Sequence, residues 1–187
     1  MRKNFGVKPW TVPQPVFILA TYDENGNPDV MNAAWGGIAS DDLLMICVGG
    51  DHKTTKNLFA NKALTVSMAD TDYVKECDFA GVVSGLKDPK KFEKTGFTAI
   101  PSEFVKAPLI AQLPFAVECT VQSYDEETCM MICKIVNVSI DESILTEDGK
   151  HIDFDKWTPI VFDCVNHTYR ALGKEVGRAF YDGLALR

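Results

Sequence analysis

Histidine is scarce in this sequence. Its three copies stand apart at 52, 151 and 167, with no acidic or cysteine partner at metal-ligand spacing, so no metal site is expected. The six cysteines, at 47, 77, 119, 129, 133 and 164, contain no C-x-x-C, which removes the zinc-ribbon and thioredoxin-type motifs. No apolar run approaches the roughly 18 residues that a membrane-spanning helix needs. Neither G-x-G-x-x-G nor G-x-x-x-x-G-K-[ST] occurs. Gly173-Lys174-Glu175 lacks both the hydroxyl residue and the upstream glycine of the second motif, so a dinucleotide fold and a P-loop are not supported. Repeats, low-complexity segments and linkers are also missing, and residues 1–187 read as one domain.

Positive charge is in deficit. With 19 Lys and Arg against 26 Asp and Glu, the net charge of −7 argues against nucleic acid and against an anionic membrane surface as partners. It leaves room for a basic protein redox partner. Residues 1–6 are charged, with no apolar stretch behind them, and read as no secretory leader. Reduced thiols in a cytoplasm are then expected. Hydrophobic content of 46% and charged content of 24% are those of an ordinary globular chain.

What is present is mostly β pattern. Residues 16–22 form a β-rich run, and the turn residues 23–28 lead into a strand over 30–35. Residues 43–48 and 63–68 are continuous apolar runs and read as strands buried on both faces. Residues 115–124 and 129–140 alternate around Asp125-Glu126-Glu127 as a long antiparallel hairpin. Short helices are expected over 55–61, after Asp70-Thr71-Asp72, and before Gly96. Residues 97–114, broken by three prolines, read as loop with short strands; 160–164 read as a strand and 169–184 as helical or turn-like. Many strands with few short helices indicate a closed β-barrel.

Residues 29–59 carry the chemistry. Gly49-Gly50 ends a strand and permits close approach to the backbone, and residues 51–57 read as a helix mouth. Helix N-termini present free N–H groups to anions. Thr54 or Thr55 is placed to cap that helix or donate a hydroxyl, and His52 and Lys53 add donors where a phosphate would sit. Upstream, Asn32 offers an amide, Ala33 and Ala34 leave room for a flat ring, and Trp35 offers a stacking face, although a tryptophan there also reads as core. A flat ring joined to a phosphate is a mononucleotide, and flavin mononucleotide (FMN) suits it best. Cys47 lacks a second cysteine at matching spacing and reads as an inert core residue.

M-N-A-A-W at 31–35, L-L-M-I-C-V-G at 43–49 and H-K-T-T-K-N-L at 52–58, in this order, resemble the flavoredoxin branch of the flavin reductase-like, FMN-binding split-barrel proteins. The resemblance runs from Pro15 to the tail Y-R-A-L-G. It implies a mainly β Greek-key split barrel with a few short helices, paired as a homodimer with FMN near the subunit interface. It also implies that Cys47, Val48 and Gly49 face the cofactor. Ser84-Gly85 and Lys91-Phe92 match the family's S-G and D-K-F segments in order, with Lys90 in place of the acid, so Ser84 and Lys91 are carried over as flavin-site residues. Tyr169 falls in the C-terminal signature and covers the cofactor or packs the core.

One departure separates this chain from the two-component flavin reductases of the superfamily. Their G-D-H motif, whose histidine helps hold NAD(P)H, is replaced by Asp125-Glu126-Glu127, with Thr128 near the histidine's place. The leading expectation is a flavoprotein that retains FMN and transfers electrons, with no protein nucleophile. The alternatives are an NAD(P)H:flavin oxidoreductase and, from another class, a non-catalytic split barrel binding haem or a regulatory ligand through His52, His151 or His167.

Overall fold

The computed structural model describes residues 1–187. A two-residue strand, β1 (Gln14–Pro15), leads into β2 (Phe17–Tyr22), whose alternation sets the architecture. Phe17 and Leu19 enter one core, while Ile18 and Ala20 enter a second core on the opposite face. A strand apolar on both sides must be covered on both sides. The turn to β3 (Pro28–Ala33) is held by Asp23, whose Oδ1 accepts the Asn25 and Asn27 N–H groups at 2.9 Å, with Gly26 at φ +82°.

The expected strand over 30–35 ends early. β3 stops at Ala33, and β4 (Gly36–Ser40) begins after Trp35 and pairs with β5 (Leu43–Cys47) across the Asp41-Asp42 turn. Gly36 makes the crossing possible, because a Cβ there would lie 2.8 Å from the Met45 carbonyl and 2.9 Å from the Phe17 ring. β5 is not buried on both faces, a second correction. Leu44 and Ile46 point inward and Leu43, Met45 and Cys47 stay partly exposed, since no helix covers that side.

The chain continues through α1 (Lys53–Asn61), β6 (Ala63–Met68), α2 (Val74–Val82) and α3 (Lys91–Thr95). β6 is buried on both faces, as its apolar run requires. A small pair, β7 (Ala99–Pro101) and β8 (Pro108–Ile110), precedes the long hairpin of β9 (Phe115–Asp125) and β10 (Met130–Ile140). Buried Glu118 of β9 accepts from Asn137 Nδ2 at 2.7 Å and from Ser102 Oγ, pinning the loop before β8 against the sheet. The last strands are β11 (Ile160–Asp163) and β12 (Thr168–Ala171).

Seven strands form one antiparallel sheet in the order β3-β2-β6-β9-β10-β5-β4, and β1-β11-β12 form a second. The first wraps around the core of Leu19, Leu44, Ile46, Leu64, Val66, Val117 and Met131. The second core, with Ile18, Val30, Cys77, Ala80 and Ile160, lies between this sheet, α2 and β11. The result is a mainly β split barrel with three short helices. The helical expectation for 169–184 is overturned: Thr168–Ala171 pair with β11, and only Asp182–Leu186 form a 3₁₀ turn. Thr168 and Tyr169 favour extended backbone, and Tyr169 packs on Phe162, while Gly173 and Gly177 weaken any helix beyond.

Leu19→Ala is expected to lower stability by about 2–5 kcal/mol and Ile18→Val by about 0.5–1.5 kcal/mol, read from denaturant midpoints. A Leu19→Ala variant as stable as the parent would mean that the barrel interior is not packed as described.

Candidate functional site

At the seam between the two sheets lies a cavity of about 640 Å³. Asn32, Ala33, Ala34 and Trp35 form one wall, Cys47 another, and Tyr169 and Phe162 a third. Most of the lining is apolar, and the small side chains of Ala33 and Ala34 leave a slot beside the Trp35 ring, which is 46% exposed. Trp35 lines an open cavity and packs 6.4 Å from Phe162, and its exposure overturns the core reading.

Asn32 explains how α2 is seated. Its Nδ2 donates to the Cys77 carbonyl at 3.0 Å and more weakly to Tyr169 Oη at 3.5 Å. A Cβ at Gly81 would meet the Asn32 Cβ at 3.1 Å, so glycine lets the helix close on β3. Tyr169 Oη in turn donates to Asp78 Oδ1 at 2.8 Å. Partial burial, followed by the neighbouring Asp78 carboxylate, pushes the Tyr169 phenol up to about 12. Asp78 and Gly81 are cavity residues that the sequence reading missed, and His167, expected only as a contact for haem or a regulatory ligand, is a third. The spacing of 78 and 81, which places both on one face of a helix after a capping signal, was the only available clue. His167 sits at φ +56° in the β11–β12 turn built on Asp163.

A second cluster lies at the other end of β3. Asp29, 2% exposed, accepts from Thr54 Oγ1 at 2.7 Å and stands 4.0 Å from Lys53 Nζ, which is 3.8 Å from Asp23. Thr55 Oγ1 donates to the Gly49 carbonyl at 2.7 Å. Neither threonine caps α1: His52 holds the N-cap position with no side-chain bond, and both hydroxyls turn inward, so what α1 offers outward is its N–H groups. Val48 points into the barrel core, its carbonyl accepting from Tyr124 Oη at 3.0 Å. Ser84 opens a turn whose carbonyl accepts from Lys87 and Asp88, and Gly85 passes so close that a Cβ would lie 2.7 Å from Asp29 Oδ1 and 3.0 Å from the Lys53 side chain.

Lys91 completes this cluster. It is 5% exposed, and burial, the larger effect, together with Lys53 lowers its ammonium below the ordinary lysine range, against the pull of Asp29. No carboxylate comes within ion-pair distance of it. The stem is buried, but the ammonium still reaches solvent and has no acid partner, so an anionic ligand can pair with it. Asp29 and Asn32 are three residues apart on one strand, hence about 10 Å. A flat-walled cavity and a cationic pocket are thus separated by the span of a short polyol chain.

Cys47 is a further correction. It is half-exposed at the cavity wall, with its thiol donating to the Thr128 carbonyl at 3.5 Å, and is not a core residue. His52 is exposed at the α1 mouth, and His151 lies outside the cavity in the loop before β11.

Raising the pH should ionise Tyr169 and Tyr124 only near pH 12, where both phenols have been pushed. Because each folded-state value lies above the usual value near 10, the stability they contribute is complete below pH 10 and disappears as the pH climbs toward 12. Ultraviolet titration of Tyr169→Phe should lack one of the late steps; loss of a step near pH 10 instead would place the Tyr169 ring in water.

Residues 10–163 match the model of the flavin reductase like domain. Flavoredoxin of Desulfovibrio vulgaris (Miyazaki F) is 33% identical, with 98% of this chain and 100% of that one covered at a TM-score of 0.92. Flavoredoxin from Methanosarcina acetivorans is 24% identical over 100% of both chains, with a TM-score of 0.87. An FMN-binding domain of a flavin reductases-like enzyme from Shewanella baltica shares the fold at 14% identity and a TM-score of 0.78, over 88% of this chain and 89% of that one. With this split barrel and the match over residues 10–163, the chain belongs to the flavin reductase-like domain family.

Proposed function

We propose that the protein is a flavoprotein of the flavoredoxin type, which retains FMN and passes electrons between it and another redox partner. The observation that carries the reading is Lys91, its stem buried and its ammonium without an acid partner, beside Lys53 at the opposite end of β3 from the flat slot at Ala33 and Ala34. The donor set fits the group. Lys53, Lys91 and the first N–H groups of α1 would hold the phosphate, with His52 at the rim. Ala33, Ala34 and Trp35 would flank the ring, Asn32 would keep its Oδ1 for a ring-edge donor, and the backbone of residues 47–49 would meet the pyrimidine edge. Ser84 shapes the turn that brings Gly85 against Lys53, and Tyr169 closes the wall opposite β3.

Bound FMN would supply the one- and two-electron chemistry. The protein's part is to bind, orient and tune. Lysines at the phosphate end fix position, while the Asp78 carboxylate behind Tyr169 orients the phenol. Thr128, in the place of a nicotinamide-binding histidine, favours retention of the cofactor and an electron donor other than NAD(P)H.

A homodimer with the flavin near the subunit interface accords with the surface. Edge strand β4 leaves Ile38 72% exposed, and the segment after β12 holds Val176, Phe180 and Leu186 with no cover of their own. No helix is long and apolar enough to cross a membrane. A cytoplasmic setting, and a basic protein partner for a chain of charge −7, complete the proposal.

One observation favours a second reading. His167 brings an imidazole to the cavity wall from the β11–β12 turn, and could hold a nicotinamide in an NAD(P)H:flavin oxidoreductase.

Purified protein should be yellow and should release FMN on denaturation; colourless protein that takes up no added FMN would overturn both readings. Under anaerobic conditions its flavin bands should persist with NADH and NADPH and bleach with dithionite, whereas rapid bleaching with either nicotinamide selects the reductase. Lys53→Ala and Lys91→Ala should each weaken FMN binding roughly 10- to 100-fold, the loss of about 1.5–3 kcal/mol for a charge-assisted bond. Unchanged FMN affinity in both variants would remove the phosphate from this pocket.

A further inference from the structure

Cys47 and Cys129 are remote in sequence but adjoin in the sheet. Cys47 ends β5 and stands opposite Met130, the first residue of β10. The Cys47 N–H turns away to the Trp35 carbonyl at 2.7 Å, while the Val48 N–H donates to the Cys129 carbonyl at 2.9 Å. Cys47 and Met130 therefore form a non-hydrogen-bonded pair, the kind with the closer side chains. Cys129 precedes that pair at φ +58°, which takes its side chain out of the strand's alternation.

The separation can be bounded. The Cys47 thiol is 3.5 Å from the Thr128 carbonyl oxygen. Across a trans peptide that oxygen lies about 3 Å from the Cys129 Cα, so the Cys47 sulfur is within roughly 6–7 Å of that Cα. A cysteine sulfur stands about 3 Å from its own Cα, and a disulfide joins Cα atoms roughly 4.4–6.8 Å apart. These distances bound the Cα atoms to within about 9–10 Å, so closing the bond needs side-chain rotation and a movement of the turn at Thr128 and Cys129.

Exposure singles out the same pair. Cys47 and Cys129 are half-exposed, whereas the other four cysteines are buried. Burial pushes the thiols of Cys77, Cys119 and Cys133 up to about 12, which leaves them without thiolate character. Beside the exposed pair, the Tyr124 phenol is raised by partial burial and then by Cys129 and Cys47, so all three groups share one small volume. The hairpin turn that leads into Cys129 carries Asp125, Glu126 and Glu127.

We propose that Cys47 and Cys129 are a dithiol site that small neutral or cationic disulfides oxidise to an internal disulfide at the cavity wall. One cysteine, as its thiolate, attacks a sulfur of RS–SR; the S–S bond breaks, a mixed disulfide forms, and RS⁻ leaves and takes up a proton. The second cysteine, as its thiolate, attacks the cysteine sulfur of that mixed disulfide, closes the Cys47–Cys129 bond and releases a second RS⁻, which is also protonated. The protein gives up two electrons and two protons, and RS–SR becomes two RSH. The acidic turn disfavours anionic disulfides. This site goes beyond the flavin reading and does not depend on it.

The test is to expose native protein to cystamine, a cationic disulfide, then count thiols in denaturant and map the peptides by mass spectrometry. Two of the six thiols should be lost, as a Cys47–Cys129 cross-link that dithiothreitol reverses. Cys129→Ser should instead hold one cystamine-derived adduct at Cys47. Glutathione disulfide, an anion, should react several-fold more slowly at low salt, with the gap closing as salt is added. Retention of all six thiols, separate adducts on the two cysteines without a cross-link, or a cross-link between any other pair would overturn the proposal. Equal rates for the two disulfides at low salt would overturn the charge preference.

Discussion

The buried carboxylate of Asp29 organises the cationic end of the molecule. It takes the Thr54 hydroxyl, stands at ion-pair distance from Lys53, and admits the backbone at Gly85 within reach of its Oδ1. Through these contacts β3, the start of α1 and the turn after α2 are tied at one point. Burying that charge is tolerable only because a hydroxyl and an ammonium face it. The same contacts leave Lys53 shared between two acids and Lys91 with none, and so make the pocket receptive to a further anion. Removing Asp29 would therefore disturb the start of α1 as well as the charge balance.

The cavity depends on a different constraint. β2 is apolar on both faces, so the sheet supports one core inside the barrel and another beneath α2. Where the second core ends, β11 and β12 cannot close fully on β3, and the gap is lined by Ala33, Ala34, Trp35 and Phe162. Small residues on one strand and large rings on its neighbours produce a slot instead of a packed seam. Asn32 and Gly81 hold the slot's back wall at fixed distance from α2.

Much of this was legible beforehand, and the limits have physical causes. The long hairpin and the β2–β3 turn were clear because alternation and turn chemistry are local signals. Asn32 and Ala33 fell on a readable strand and Lys53 on a readable helix mouth. β4 was missed because two glycines conceal a strand, and β12 because Tyr169 is held extended by pairing with β11, which composition does not reveal. The capping reading of the threonines failed because Thr54 bonds Asp29, which lies far upstream of it, and Thr55 bonds the Gly49 carbonyl. Cys47 was read as inert for the same reason: Cys129 is its neighbour only through the register of β5 on β10. The tyrosine–aspartate contact between β12 and α2 is likewise a product of tertiary packing.

The distribution of the cavity walls along the chain bears on how it is made. One wall is complete by Trp35, but the opposite wall waits for Phe162, His167 and Tyr169. A chain emerging residue by residue from the ribosome shows the cationic pocket long before it shows a slot. The two ends therefore coexist only once β12 has emerged, and a truncation that stops short of β12 leaves a chain with the barrel strands but without the wall opposite β3.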